Sequence, residues 1–286
     1  MLLEQREQRG RTPTVSVIIP TSNSGTTLRR CLQSIRKQAY SATEVVVVDK
    51  YSEDATRRIA EEFGATVILH RGNQAAARNV GLAHARGEYV LFLDSDQQLD
   101  VQVLEACVGT CRTRGVAAVK IPECFVGQGF WSRCSALWKN SVVDAWGPRG
   151  GIPRFYKRDA LLQSAAFNEA LGVWEDRELH QRLTSHGVQD AWCRSRVIHY
   201  ELDSLPKVIR KYVAYGGAIA AVKEGGTRAP YAATMRLTLA TLRHVVTKPR
   251  STVGTVLGCL VLVGVKGLSV ALGFLLRPGR SGLQGM

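Results

Sequence analysis

The run Tyr89-Val90-Leu91-Phe92-Leu93 stops abruptly at Asp94-Ser95-Asp96. A short, continuous, aromatic-rich apolar run reads as a strand buried on both faces, the kind found in parallel sheets. Two carboxylates at the end of such a strand need a partner, because burying a charge is costly unless it is paired or bound to metal. The pattern predicts a divalent cation at the carboxyl edge of a sheet. Hard oxygen ligands suit Mg²⁺ or Mn²⁺, which sit between one or two carboxylates and substrate phosphates. A solvated Asp-Ser-Asp turn is the plainer alternative, and the segments upstream decide against it.

Those segments alternate. Val15 to Ile19 is a strand stopped by Pro20; Thr26 to Gln38 has helical spacing through Leu28, Leu32 and Ile35; Glu44 to Asp49 is a β-branched strand. Ser52 to Phe63 reads as a helix closed by Gly64, Thr66 to Leu69 as a strand, and Gln74 to Arg86 as a helix ending at Gly87. This order predicts an α/β domain, Rossmann-like, with a mostly parallel twisted sheet and helices on both faces. Ligands bind beyond the carboxyl ends of strands in such sheets. Pro20-Thr21-Ser22-Asn23, Asp49 and Asp94-Ser95-Asp96 all fall at that edge.

Beyond residue 97 the order loosens. A helix, a strand at Val116 to Ile121 and a Trp-rich segment (Trp131, Trp138, Trp146) lead to Gly150 through Tyr156, a loop running into a strand. Glu175 to His186 is helical with Gly187 as its stop, and Val197 to Tyr200 is a short strand.

The C-terminal part differs in kind. The whole chain of 286 residues carries a net charge of +14, and from Glu201 onward twelve Lys or Arg face three acids, a balance of +9. That excess implies an anionic partner. Val253 to Leu276 is apolar apart from Lys266 and a few small polar residues, long enough to cross about 30 Å of hydrocarbon. Lys266 near its middle costs roughly 2.5–3.5 kcal/mol, which leaves a re-entrant helix, interfacial helices or packing on a partner open beside a simple span. Upstream, Met235, Leu239, Leu242 and Val246 share a helical face while Arg236 and Arg243 recur seven apart, as in a helix lying among headgroups. The expectation is therefore a leader at 1–13, a catalytic domain at 14–224 and a basic, membrane-associated tail at 225–286. The seven cysteines form no CxxC pair and read as reduced thiols. The first residues lack the apolar core of a signal peptide. Together these place the protein on the cytoplasmic face of a membrane. No helix-turn-helix, finger or stacking-aromatic signature supports a nucleic-acid partner.

Five segments taken in order carry a resemblance: Val17-Ile18-Ile19-Pro20-Thr21; Val47-Val48-Asp49 with Ser52 and Asp54; Ala77-Arg78-Asn79-Val80-Gly81; Gly87 through Asp96; and Trp174-Glu175-Asp176. Over about residues 14–200 the chain resembles the family 2 glycosyltransferases of GT-A fold. The resemblance implies transfer of a sugar from a nucleotide-diphosphate sugar, UDP- or GDP-linked, to a lipid-linked or glycan acceptor, with inversion. Pro20, Thr21 and Asn23 would line the nucleotide pocket and Asp49 would meet the base or ribose. Asp96 would bind the cation directly, and Asp94 would hold ribose or a metal-bound water. Arg78 would add charge for the phosphates, or else pair with a neighbour on its own helix. Asp176, at a helix start where the dipole favours a carboxylate, is the expected base, with Glu175 beside it; capping that helix is the other role open to Asp176. Trp174 is a sugar platform or core. His199 completes the metal site, which would favour Mn²⁺ over Mg²⁺, or is a satisfied, partly buried histidine.

One departure stands out. Asp49-Lys50-Tyr51-Ser52 replaces the family's Asp-Asp-Gly-Ser or Asp-Asn-Gly-Ser, so base specificity is open. The Gln-x-x-Arg-Trp motif of processive synthases is absent after His199, which implies single-sugar transfer. Two other readings compete. A sugar nucleotidyltransferase would need a cationic glycine-rich loop after the first strand, whereas Thr21-Ser22-Asn23-Ser24-Gly25 carries no cation. A non-catalytic, membrane-peripheral nucleotide-sugar-binding protein would have no need to keep Asp49, Asp94, Asp96 and Asp176 together.

Overall fold

The computed structural model describes residues 14–147, 151–224, 241, 243–248 and 252–276. The leader at 1–13, the flanking Arg250, Arg277 and Arg280, and Met235, Arg236, Leu239 and Leu242 of the amphipathic stretch lie outside the described residues. The described chain forms two compact units. The first takes residues 14–124, Gly151–Glu169 and Glu175–His199; the second takes the segment from Phe125, Ala170–Trp174 and the chain from Tyr200 on. This division does not follow a linear cut at 224.

The first unit is built on a seven-stranded sheet in the order β3-β2-β1-β4-β8-β6-β9. These strands are β1 (Val15–Thr21), β2 (Thr43–Asp49), β3 (Thr66–Leu69), β4 (Tyr89–Phe92), β6 (Ala118–Lys120), β8 (Phe155–Lys157) and β9 (Asp190–Trp192). β1 lies parallel to β2 and β4, and β2 parallel to β3. β8 is antiparallel to both β4 and β6. The sheet is buried on both sides because neighbouring residues of each strand point to opposite faces. Val17 and Ile19 join one cluster with Leu28, Leu32, Val103 and Leu104. Ile18, Val48 and Phe92 join the other with Leu82, Leu179 and Leu183.

Pro20 does not end β1, which runs on to Thr21 with Pro20 opposite Val48 of β2. A proline is excluded from a central strand only where its missing N–H is needed. Pairing with β4 stops at Ile18 opposite Phe92, so on that flank Pro20 faces no ladder partner. Three helices are shorter than their apolar spacing suggests: α1 is Leu28–Arg36, α2 Thr56–Glu62 and α3 Gln74–His84; α4 is Val103–Arg114. The residues just before α1 and α2 are spent instead on turns that meet one another. Gly64 closes α2 as expected, with φ of 74°.

The Trp-rich segment is a 17-residue helix, α5 (Phe130–Trp146), in the second unit. It packs with α8 (Leu205–Glu224) and α9 (Val253–Leu275) around Cys134, Val208, Cys259 and Leu262. In the first unit, α6 (Arg158–Gln163) follows β8, and α7 (Glu175–Ser185) is stopped by Gly187 at φ of 82°. β5 (Gln97–Leu99), β10 (Val197–Tyr200) and β7 (Glu123–Val126) make a small sheet with β10 central, and His199 lies opposite Gln97.

Candidate active site

Parallel pairing in register brings the ends of β1 and β2 level, with Thr21 beside Asp49. Asp49 is fully buried. Its Oδ1 accepts the Thr21 hydroxyl at 2.8 Å and the Ser52 hydroxyl at 2.6 Å, and its Oδ2 accepts the Ser52 amide at 2.8 Å. The two loops are sewn together further out. The Asn23 amide donates to Ser52 Oγ at 2.7 Å, and Asn23 Oδ1 accepts the Glu53 amide at 3.0 Å. Asn23 and Tyr51 both take left-handed backbone, with φ of 48° and 51°. Tyr51 stands where the family's motif has glycine, and a side chain there costs on the order of 1–2 kcal/mol. Its exposed ring lies under the Arg71 guanidinium, 4.5 Å from it.

The Asp-Ser-Asp turn splits the two carboxylates between different partners. Asp94 Oδ1 accepts from Arg78 at 3.3 Å and from Gln74 at 3.1 Å, and Asp94 Oδ2 accepts from Arg154 at 3.1 Å. The premise that neither anion is compensated therefore fails for Asp94. Burial pushes its carboxyl up, but Arg154 and Arg78 outweigh that and hold it well below the usual range. Asp96 Oδ2 lies 3.4 Å from His199 Nε2. On its other side His199 Nδ1 meets Gln97 at 3.2 Å and Glu123 at 3.8 Å. Burial disfavours the imidazolium, yet the Asp96 and Glu123 carboxylates lift its pKa to about 9.

Arg154 and Glu123 carry no motif, and the sequence assigned them no role. Arg154 precedes β8, and its carbonyl accepts the Phe92 amide at 2.9 Å. The antiparallel insertion of β8 beside β4 thus delivers its guanidinium to Asp94 and to Glu123 Oε1, the latter at 2.8 Å. Burial again opposes ionisation of Glu123, and Arg154 overcomes it, leaving a pKa of about 2.

Arg78, on α3, is almost wholly buried. It joins Asp94 to Glu175, whose Oε1 it meets at 2.9 Å, and it covers the Phe167 ring at 5.3 Å. Glu175 and Asp176 open α7. Burial raises the Glu175 pKa, partly offset by Arg78. Asp176 is half-buried, and its Oδ1 accepts the Arg177 amide at 2.7 Å. Trp174, at φ of 63°, sits in the second unit against Leu171, Val173 and Ile219. The first unit thus gathers Asp94, Asp96, Glu123, Glu175 and Asp176 with Arg78, Arg154 and His199. Carboxylates outnumber the cationic side chains along this edge, so it is acidic.

A mostly parallel sheet ending in this acidic, arginine-braced edge defines the class: the fold is that of the GT-A glycosyltransferases. Many solved structures share it, among them the following two. Staphylococcus aureus TarS 1–349 with UDP-GlcNAc superposes with a TM-score of 0.55 at 20% identity, over 91% of this chain and 83% of that one. The mannosyltransferase PcManGT of Pyrobaculum calidifontis, with GDP-Man and Mn²⁺, gives 0.55 at 22% identity over 96% and 87%. Residues 16–182 match the family described as Glycosyl transferase family 2, and the chain belongs to that family. Glycosyltransferase AglE of Haloferax volcanii is 37% identical over 116 residues, 37% of this chain and 38% of AglE. The chain spans well under half the length of the relatives it matches at this level.

Proposed function

We propose that this protein moves one sugar from a UDP- or GDP-linked donor to a lipid-linked or glycan acceptor at the cytoplasmic face of a membrane, by a metal-assisted inverting displacement. The observation that carries the reading is the division of labour at the sheet edge. Two arginines neutralise Asp94, while Asp96 faces only the imidazole of His199 among the contacts that define this edge. Pro20, Thr21, Asn23 and Asp49 would receive the nucleoside, and Arg78 would add positive charge near the diphosphate.

Asp96 and His199 would hold Mn²⁺ or Mg²⁺, and their mixed oxygen and nitrogen donors suit Mn²⁺ better. Among the described residues no cluster of three or more His, Cys, Asp or Glu closes around one point. That suits a site whose remaining ligands are phosphate oxygens and water. The cation, when bound, neutralises charge developing on the diphosphate. Glu175 is committed to Arg78, so Asp176 is the carboxylate left to take the acceptor's hydroxyl proton. In-line attack by that hydroxyl, opposite the departing diphosphate, inverts the anomeric centre.

The test is a panel of UDP- and GDP-sugars incubated with Mn²⁺, with Mg²⁺ and with chelator, read as nucleotide release and as the anomeric configuration of product. One donor should turn over far faster with cation than without and give inverted product. Turnover unaffected by chelator, or retention, would overturn the proposal.

A further inference from the structure

Helix α9 is inside out for a helix in water. The stripe Gly258, Cys259, Leu262, Lys266, Ser269 and Gly273 faces the rest of its unit; all are buried except the half-buried Lys266. It is mostly small or polar. The opposite side carries Val253, Leu257, Val261, Leu268, Leu272 and Leu275, large, apolar and 47–79% exposed, interrupted by the exposed Gly254, Gly264 and Gly267. A helix packed on a soluble domain shows the reverse order. Small residues inward and large apolar residues outward is the pattern of helices bedded in lipid.

The neighbours of α9 fix how it can lie. α8 runs alongside it in the same direction: the Tyr212 ring is 5.2 Å from Lys266 Nζ, and Gly216 lies further along, against Val270. A Cβ at Gly216 would strike the Val270 carbonyl, and one at Gly273 the Val213 carbonyl, so the two backbones touch. α5 covers another part, with Cys259 Sγ donating to the Cys134 carbonyl at 3.1 Å and Lys266 Nζ donating to Ser135 Oγ at 3.0 Å. Ser135 in turn donates to Glu201 at 2.6 Å, and Lys139 meets the other Glu201 oxygen at 2.5 Å.

If α9 spanned a bilayer, α8 would go with it. Its exposed Lys207, Arg210 and Lys211 would then stand level with the middle of the apolar run, beside Lys266, where charge is most strongly disfavoured. If α9 lies flat, the same cations stay at headgroup depth, where anionic lipid attracts them.

We infer that α9 lies along the surface of an anionic membrane, its large face in the lipid and both its ends on one side, with α5 and α8 above it in water. This rests on the membrane reading given above and says which kind of attachment it is. The test uses the full chain added to preformed vesicles, of phosphatidylcholine alone or mixed with phosphatidylglycerol. Flotation should be strong only with phosphatidylglycerol. Thr252→Cys and Leu276→Cys should both react with an impermeant maleimide added outside, above the wild-type background. Leu268→Lys should weaken vesicle binding about tenfold while donor turnover is unchanged. If one of the two positions reacts only after detergent opens the vesicles, α9 spans; the inference fails and the membrane reading stands. If Leu268→Lys binds as well as wild type, the face is not in lipid and the inference fails. If the protein floats with neither vesicle, and light scattering shows a dimer that Leu268→Lys dissociates, the face joins two copies and both readings fail.

Discussion

Arg154→Met keeps an unbranched apolar stem of similar reach and removes the guanidinium that holds Asp94 at 3.1 Å and Glu123 at 2.8 Å. Breaking a buried pair strands a charge and costs about 3–5 kcal/mol. Here the three side chains are 20–24% exposed, so solvent relieves part of the penalty and the lower end, about 3 kcal/mol, applies. The pH dependence identifies the mechanism. In the wild type both carboxyls are held below their ordinary range, Glu123 at about 2. They contribute stability that is present above about pH 4.5 and lost as pH falls through the folded values. In the variant, burial is opposed for Asp94 by Arg78 and His199 and for Glu123 by His199, so the ionised carboxylates, Glu123 in particular, become a liability that protonation lessens. The difference between wild type and Arg154→Met should therefore be largest near pH 7 and shrink below about pH 5. Urea unfolding of the metal-free proteins at pH 7.5 and pH 4.5 measures it. A loss under about 1 kcal/mol at pH 7.5, or one equal at both pH values, would refute the claim that Arg154 acts by neutralising these acids.

Four further outcomes are expected. Asp96→Ala should abolish turnover and Mn²⁺-dependent nucleotide binding by calorimetry while the protein still folds cooperatively, with a midpoint lowered at neutral pH because the His199 pair is lost; normal donor binding would sink the metal assignment. Asp176→Asn should lower transfer by roughly 10²–10⁴ with donor affinity near wild type, the usual contribution of a general base; if only stability falls, Asp176 is a helix cap. His199 is raised from 6.5 to about 9 by its two carboxylates, so it contributes stability fully present below pH 6.5 and lost as pH rises through 9. Melting curves of metal-free protein should decline over that window, and His199→Gln should flatten the decline. Tyr51→Gly should raise stability by on the order of 1 kcal/mol, because glycine adopts the φ of 51° without strain; a destabilised variant would mean that the ring over Arg71 outweighs the backbone.

The packing of α9 also changes what truncation can show. Removing everything after Glu224 would strip the partner from Val208, Tyr212 and Gly216 and from Cys134. The remainder would carry a bare apolar face rather than behave as a soluble catalytic domain. Point substitutions on the outer stripe of α9 are the cleaner probe.

What the sequence alone determined is what depends on local order along the chain. Alternating apolar runs and helical spacing specified strands β1 to β4 and the sheet's carboxyl edge, since period and burial are written into neighbouring residues. The same reading reached Asp49, Asp94 and Asp96, because each closes a strand, while Glu175 and Asp176 came with the family resemblance, at the start of a helix. Only the tertiary structure decided what neutralises Asp94. Arg154 arrives just ahead of an antiparallel strand inserted some sixty residues later, and no spacing announces that pairing. The ring of Glu123, Gln97 and His199 is equally non-local, made by the small sheet of β5, β10 and β7. Likewise, Lys266 looked like an obstacle to any membrane reading while only its place in the apolar run was known. Its partner Ser135 lies 131 residues away, on a helix that the aromatic-rich sequence did not declare. Composition told that α9 is apolar; which of its faces is turned outward was set by the helices that cover the other.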